Sequence, residues 1–215
     1  MARRSWILAL IVAIAAALGV GLAWQAGVFS RSDAAPPASS IGGPFQMADT
    51  AGRPADQSLL QGKWSAVFFG FTYCPDVCPT TLQTLLDAKA KLGRRAEKLQ
   101  IVFVSVDPGR DTPQQVATYL SNFPGVVGLT GSPEQVAQVT KAYKVYASLS
   151  CPAESPAERA KLKAPQDCPD SYLVDHTSAV YLMDPKGRFA NAVAHQLGPD
   201  QAADVIAREM EKQGD

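Results

Sequence analysis

WSAVFFGFTYCPDVCPTTL, residues 64–82, holds the reading of the fold. Its first half, residues 64–72, is a continuous apolar run with aromatics and Val. That is the pattern of a strand buried on both faces. Its second half sets Cys74 and Cys78 at the head of a helical pattern. The pattern continues over residues 81–95, with Leu82, Leu85, Leu86 and Leu92 on one face. Residues i and i+4 share a face of a helical turn, so two sulfurs there can converge on one ion. The positive end of the helix dipole favours thiolate over thiol, and thiolate is the metal-binding and nucleophilic form. A purely structural disulfide between Cys74 and Cys78 would close a very small loop and stabilise little.

Outward from this stretch the pattern alternates between strand and helix. Residues 45–47 and a short run after Gly52-Arg53 suit an opening hairpin. Residues 99–106, LQIVFVSV, read as a second buried strand. Thr112-Pro113-Gln114-Gln115 and Ser132-Pro133-Glu134-Gln135 are helix starts, each with a hydroxyl cap, Pro at the first position and Gln at the third. Val116, Tyr119 and Leu120 face inward from the first; Val136, Val139, Tyr143 and Tyr146 share a face of the second. Residues 179–183 and 189–193 flank Asp184-Pro185-Lys186-Gly187, a turn that makes them a hairpin. Residues 201–212 close the chain as a helix. The predicted order is strand, helix, strand, helix, helix, hairpin, helix. An α/β thioredoxin-like fold, a central mixed sheet flanked by helices, satisfies it, with right-handed crossovers making the early strands parallel.

The chain has 215 residues, 47% of them apolar, enough for one sizeable core and against disorder. Lys+Arg and Asp+Glu are balanced at 20 each, which gives no electrostatic reason to expect nucleic acid. Residues 1–30 read as an N-terminal membrane anchor. No charge occurs over residues 5–30, and Trp6 and Trp24 bracket a stretch that spans roughly 28 Å as a helix. Arg3 and Arg4 precede it, so the positive-inside rule leaves the rest of the chain outside the cytoplasm. A cleaved signal peptide is the rival reading, with the same export direction; the long apolar run and the weak A-x-A match argue against it. Residues 31–43, rich in Ala, Pro, Ser and Gly, read as a flexible linker. Residues 44–215 form the remaining domain.

Between Tyr146 and Tyr172 the periodicity stops, and a Pro-rich excursion carries Cys151 and Cys168. Two histidines complete the inventory. His195 follows the hairpin and reads as a surface or packing residue. His176, in Val174-Asp175-His176-Thr177, precedes the hairpin, where it is as readily a packing residue as a third ligand for the cysteines.

GFTYCPDVCPTTL (residues 70–82), DPGRDTP (residues 107–113) and VDHT (residues 174–177) occur in that order behind an anchor. Together they resemble the Sco/SenC family, copper chaperones for the CuA centre of cytochrome c oxidase, over roughly residue 44 to the C-terminus. The resemblance implies a thioredoxin-like fold and one copper per chain. It implies as ligands the two cysteines of CxxxC and the histidine of the DH motif, here Cys74, Cys78 and His176. It implies as partners the oxidase subunit that carries CuA, together with other copper chaperones or thiol reductants. The location implied is the outer, periplasmic side of a bacterial-type inner membrane. Two thiolates suit Cu(I), and imidazole with thiolate also accepts Cu(II). Zinc with two Cys, one His and a water is the physical alternative.

Asp76 and Asp175 flank the ligands and are candidates for orienting them, with solvated loop acids as the plain reading. Asp107-Pro108 and Asp111-Thr112-Pro113 read more simply as a turn and a helix cap. Cys151 and Cys168 depart from the family core and read as a structural disulfide, which closes a loop worth about 3 kcal/mol; a second redox or metal pair is the alternative. Besides a metallochaperone, the pattern admits a thiol–disulfide oxidoreductase that reduces the acceptor's cysteines, although CxxC rather than CxxxC is the usual spacing. A peroxide-reactive cysteine pair is the third reading.

Overall fold

Every residue of Trp64–Gly70 (β3) is buried, as a strand must be when ladders flank both edges and helices cover both faces. In the computed structural model, which describes residues 41–151 and 172–214, β3 pairs parallel with Leu99–Ser105 (β4) and antiparallel with Val180–Met183 (β8). Gln46–Asp49 (β1), Pro54–Asp56 (β2), Val126–Thr130 (β5) and Phe189–Val193 (β9) complete a seven-stranded mixed sheet in the order β2-β1-β5-β4-β3-β8-β9. Among the described residues four α-helices accompany it: Val77–Lys91 (α1), Pro113–Leu120 (α2), Pro133–Tyr143 (α3) and Pro199–Lys212 (α4).

Successive side chains of a strand point to opposite faces, so Phe68 and Phe69 report on the two sides of the sheet. Phe68 meets Phe103, which meets Tyr119 of α2. Phe69 meets Tyr143 of α3 at 5.2 Å and Tyr181 at 5.7 Å. Helices therefore lie on both faces, as the α/β reading requires. The opening hairpin β1–β2 and the closing hairpin β8–β9 both form. The two capped helix starts form as well: Thr112 accepts from the Gln115 N–H, and Ser132 and Gln135 make a capping box.

Four expectations are corrected. First, α1 begins at Val77, not Thr81, and ends at Lys91, after which Gly93–Lys98 continues as a 3-10 turn. Pro79 does not delay the start, because N–H groups of a first turn have no helical partner to lose. Second, α3 ends at Tyr143 because Lys144 adopts a left-handed conformation, φ 56°. Tyr146 thus leaves the helix face and is exposed. Third, β5 was absent from the expected order. It is five residues long with a glycine in the middle, which weakens its strand signal. Gly128 is required there because a Cβ would meet Leu120 at 2.5 Å and Val116 at 2.7 Å. Fourth, the excursion after Tyr146 opens as a strand. Ala147–Ser150 (β6) pairs antiparallel with Leu173–His176 (β7) in a ribbon of its own, with Ala147 opposite His176.

The anchor over residues 1–30, most of the linker and Cys168 lie outside the described residues. Among the described residues no helix is long and apolar enough to cross a membrane.

Candidate metal centre

The C-terminal end of β3 delivers the chain to the site. Gly70 ends the strand, and the Cys74 N–H turns back to the Phe71 carbonyl at 3.2 Å. Asp76 is the N-cap of α1, which puts Cys78 in the first helical turn. The Cys78 backbone N–H donates to Cys74 Sγ at 3.4 Å. This is the helix-start geometry that stabilises a thiolate.

His176 arrives from the other end of the domain, as the last residue of β7. Its Nε2 lies 3.7 Å from Cys78 Sγ across 98 residues of chain. Its Nδ1 lies 3.0 Å from the Thr177 carbonyl oxygen. The imidazole is thus held between that carbonyl on its Nδ1 side and the sulfur on its Nε2 side. The rings of Phe68 and Phe71 stand edge-on to the imidazole at 6.2 and 5.8 Å and limit its rotation. An ion bonded at about 2.3 Å to sulfur and about 2.0 Å to nitrogen, with a trigonal angle, would leave the two donors about 3.7 Å apart. The Cys78–His176 spacing fits that geometry. As they stand, no three His, Cys, Asp or Glu side chains among the described residues are arranged to hold an ion.

Both cysteines are free thiols, Cys78 fully buried and Cys74 half-buried. The Cys74 thiol is pulled down to about 4, first by the hydrogen bond from the Cys78 thiol, then by His176 and by the backbone N–H groups of Asp76 and Cys78, against the effect of burial. The Cys78 thiol is pushed up because it supplies that bond, because it is buried and because Cys74 is charged beside it. The pair therefore holds one proton at neutral pH, on Cys78. Since the folded value of Cys74 lies below its unfolded one, its contribution to stability is complete above about pH 8.5 and is lost as pH falls toward 4. Alkylation of Cys74 in the reduced, copper-free chain is expected to proceed at a nearly constant rate from pH 5.5 to 8, where an ordinary thiol gains about tenfold per unit. Peptide mapping that shows Cys74 labelling climb steeply toward pH 8.5 would contradict this.

Gly70 leaves the room that Cys78 occupies. A Cβ at residue 70 would meet Cys78 Sγ at 2.9 Å and Phe103 Cε2 at 2.9 Å. Gly70→Ala is expected to cost about 2 kcal/mol through overpacking and to displace Cys78, which thermal unfolding and thiol titration together will register.

Among the described contacts, the side chains of Asp76 and Asp175 do not hydrogen-bond to Cys74, Cys78 or His176. Asp76 is exposed, and it is its backbone N–H that supports Cys74. Asp175 is exposed on the side of β7 opposite Val174 and His176. The acids that matter structurally are Asp107 and Asp111, each about 1% exposed, so reading them as a turn and a cap was incomplete. Asp111 accepts from the Thr72 N–H at 3.0 Å, the Thr72 hydroxyl at 2.6 Å and the Ser105 hydroxyl at 2.6 Å. Burial raises its carboxyl above the ordinary range while those bonds oppose the rise. By holding Thr72 it fixes the turn two residues before Cys74. Asp107 accepts from Arg110 Nε and from the Tyr172 hydroxyl, both at 2.7 Å. No local pattern marks these acids as buried; their place directly after a buried strand was the available hint. His195 is half-exposed beyond β9.

Known proteins match this chain in sequence and in fold. The SCO1/SenC family model matches residues 33–211. The mitochondrial protein SCO2 of Saccharomyces cerevisiae is 38% identical over 174 residues, 80% of this chain and 54% of its own length. The chain spans about half the length of such curated relatives. The copper-bound crystal structure of ScoI from Arabidopsis thaliana superposes with a TM-score of 0.69 at 36% identity, over 80% of this chain and 99% of that one. Copper-bound ScoI from Bradyrhizobium japonicum gives 0.65 at 39%, over 79% and 99%. A match over most of the length, in sequence and in fold, agrees with the three motifs read along the chain: it belongs to the SCO1/SenC family.

Proposed function

We propose that this chain is a copper-binding metallochaperone that holds one copper through Cys74, Cys78 and His176 and delivers it to the CuA site of cytochrome c oxidase. The observation that carries the reading is the 3.7 Å approach of His176 Nε2 to Cys78 Sγ, at the spacing a shared ion demands. Soft thiolates favour copper over harder cations, and the imidazole extends the site to Cu(II). Relatives of similar sequence have been solved with copper bound. A three-ligand site leaves a coordination position for an incoming thiolate of the acceptor, so transfer is a ligand exchange. Residues 1–30 would tether the domain as a single-pass anchor, facing the outer side of a bacterial-type inner membrane. Cys151 is disulfide-bonded while Cys74 and Cys78 are free, which supports the Cys151–Cys168 staple.

The test is titration of the reduced full chain, solubilised in detergent, with Cu(I), Cu(II) and Zn(II). The reading expects one tight copper per chain, retained against an equal concentration of zinc and lost in Cys74→Ser and in Cys78→Ser. The Cys151→Ser/Cys168→Ser double variant keeps it. Preferential retention of zinc would overturn the choice of metal.

A second reading rests on the unequal thiols. A low-pKa cysteine beside a protonated partner is also the arrangement of a thiol–disulfide oxidoreductase, which reduces a substrate disulfide as Cys74–Cys78 becomes oxidised. Rapid dithiol–disulfide cycling in a chain that binds copper weakly would favour it.

A further inference from the structure

A guanidinium joins the loop that carries Cys74 to the strand that carries His176. Arg110 follows β4. Its Cζ stands 3.5 Å from the Tyr172 ring centroid, 4.5 Å from that of Tyr73 and 6.0 Å from that of Phe71. Its Nε donates to Asp107 Oδ2 at 2.7 Å, and the Tyr172 hydroxyl donates to Asp107 Oδ1 at 2.7 Å. Asp107 and Arg110 side chains are 1% and 13% exposed, so solvent screens the pair little. Tyr73 immediately precedes Cys74, and Tyr172 immediately precedes β7, which ends at His176. Chain segments from three parts of the sequence thus meet on one planar cation.

We propose that Arg110 is a positioning residue, which clamps the Tyr73–Cys74 loop to the root of β7 and so sets the separation of the cysteines and His176. The inference rests on the ligand set proposed above. A structural role alone would be served by any side chain that covers the aromatic rings. The observed arrangement asks for more: a flat cation that stacks on two rings while its edge pairs with a carboxylate. Arginine meets those demands together; lysine keeps the charge but has no plane to stack. β7 needs such a tie because, among the described residues, its strand partner is β6 and not the main sheet.

The experiment compares Arg110→Lys, Arg110→Ala and Tyr73→Leu in the full chain in detergent. The last removes one ring and leaves the Arg110–Asp107 pair in place. Two readouts are taken: amide hydrogen exchange of the copper-free protein, and affinity with electron paramagnetic resonance of the Cu(II)-loaded protein. Expected for Arg110→Lys are faster exchange at Val174 and His176, unchanged exchange in β3 and β4, an altered nitrogen hyperfine pattern, and an affinity loss of about tenfold or more, as for other groups that orient metal ligands. Tyr73→Leu should move in the same direction by less. Wild-type affinity and hyperfine pattern in both arginine variants overturn the proposal, whatever exchange does. A parent chain that binds no copper sinks the ligand assignment instead; unchanged exchange in β7 would then overturn the clamp by itself.

Discussion

His176→Ala is expected to lower copper affinity by more than about 100-fold while the apo domain unfolds within a few degrees of the parent. Changing groups that merely orient a ligand costs 10–100-fold, and removal of a ligand should exceed that range. The fold should survive because His176 is half-buried at the end of a two-stranded ribbon, in edge contact with Phe68 and Phe71. No ladder of the main sheet depends on it. The Cu(II) spectrum should keep thiolate-to-copper absorption from Cys74 and Cys78 but lose its nitrogen coupling. A competition titration with parent-like affinity would remove His176 from the site and leave a two-thiolate centre.

Asp111→Ala is expected to destabilise the apo chain by about 3–4 kcal/mol and lower the midpoint of thermal unfolding by about 10 °C. The loss leaves three donors without an acceptor: the Thr72 N–H, the Thr72 hydroxyl and the Ser105 hydroxyl. Each orphaned buried group costs about 1–3 kcal/mol; rotation of the two hydroxyls recovers part of the sum. Asp111→Asn keeps one acceptor oxygen but turns an amide against donors, so its midpoint should lie between parent and alanine. Unfolding of Asp111→Ala at the parental midpoint would mean that water replaces the carboxylate at no net cost.

The central strands, both hairpins and the helix caps were legible because each is a local pattern: continuous apolar runs at Trp64 and Leu99, Pro-Lys-Gly at the turn, hydroxyl-Pro-x-Gln at the caps. What escaped depends on distance along the chain. β5 is short and interrupted by Gly128, and it becomes a strand because β4 and β1 supply its partners. β6 and β7 are four residues each and pair across more than twenty intervening positions, which periodicity cannot register. The cysteine half of the site was visible in residue spacing. Its histidine half was open on position alone: standing before the hairpin, His176 was as readily a third ligand as a packing residue, ahead of His195, and the choice needed the family resemblance. Asp107 and Asp111 are polar letters in a Pro-rich loop, and only the closure of Thr72, Ser105, Arg110 and Tyr172 around them reveals their burial.

The unequal access to the two sulfurs imposes an order on whatever passes through this site. Cys78 has no exposed surface, its sulfur filling the room that Gly70 leaves, whereas Cys74 is half-buried and reachable from outside. A sulfur arriving from solvent would therefore reach Cys74 before Cys78. Any bond to Cys78 would be shielded by the fold, whereas a bond to Cys74 would face outward.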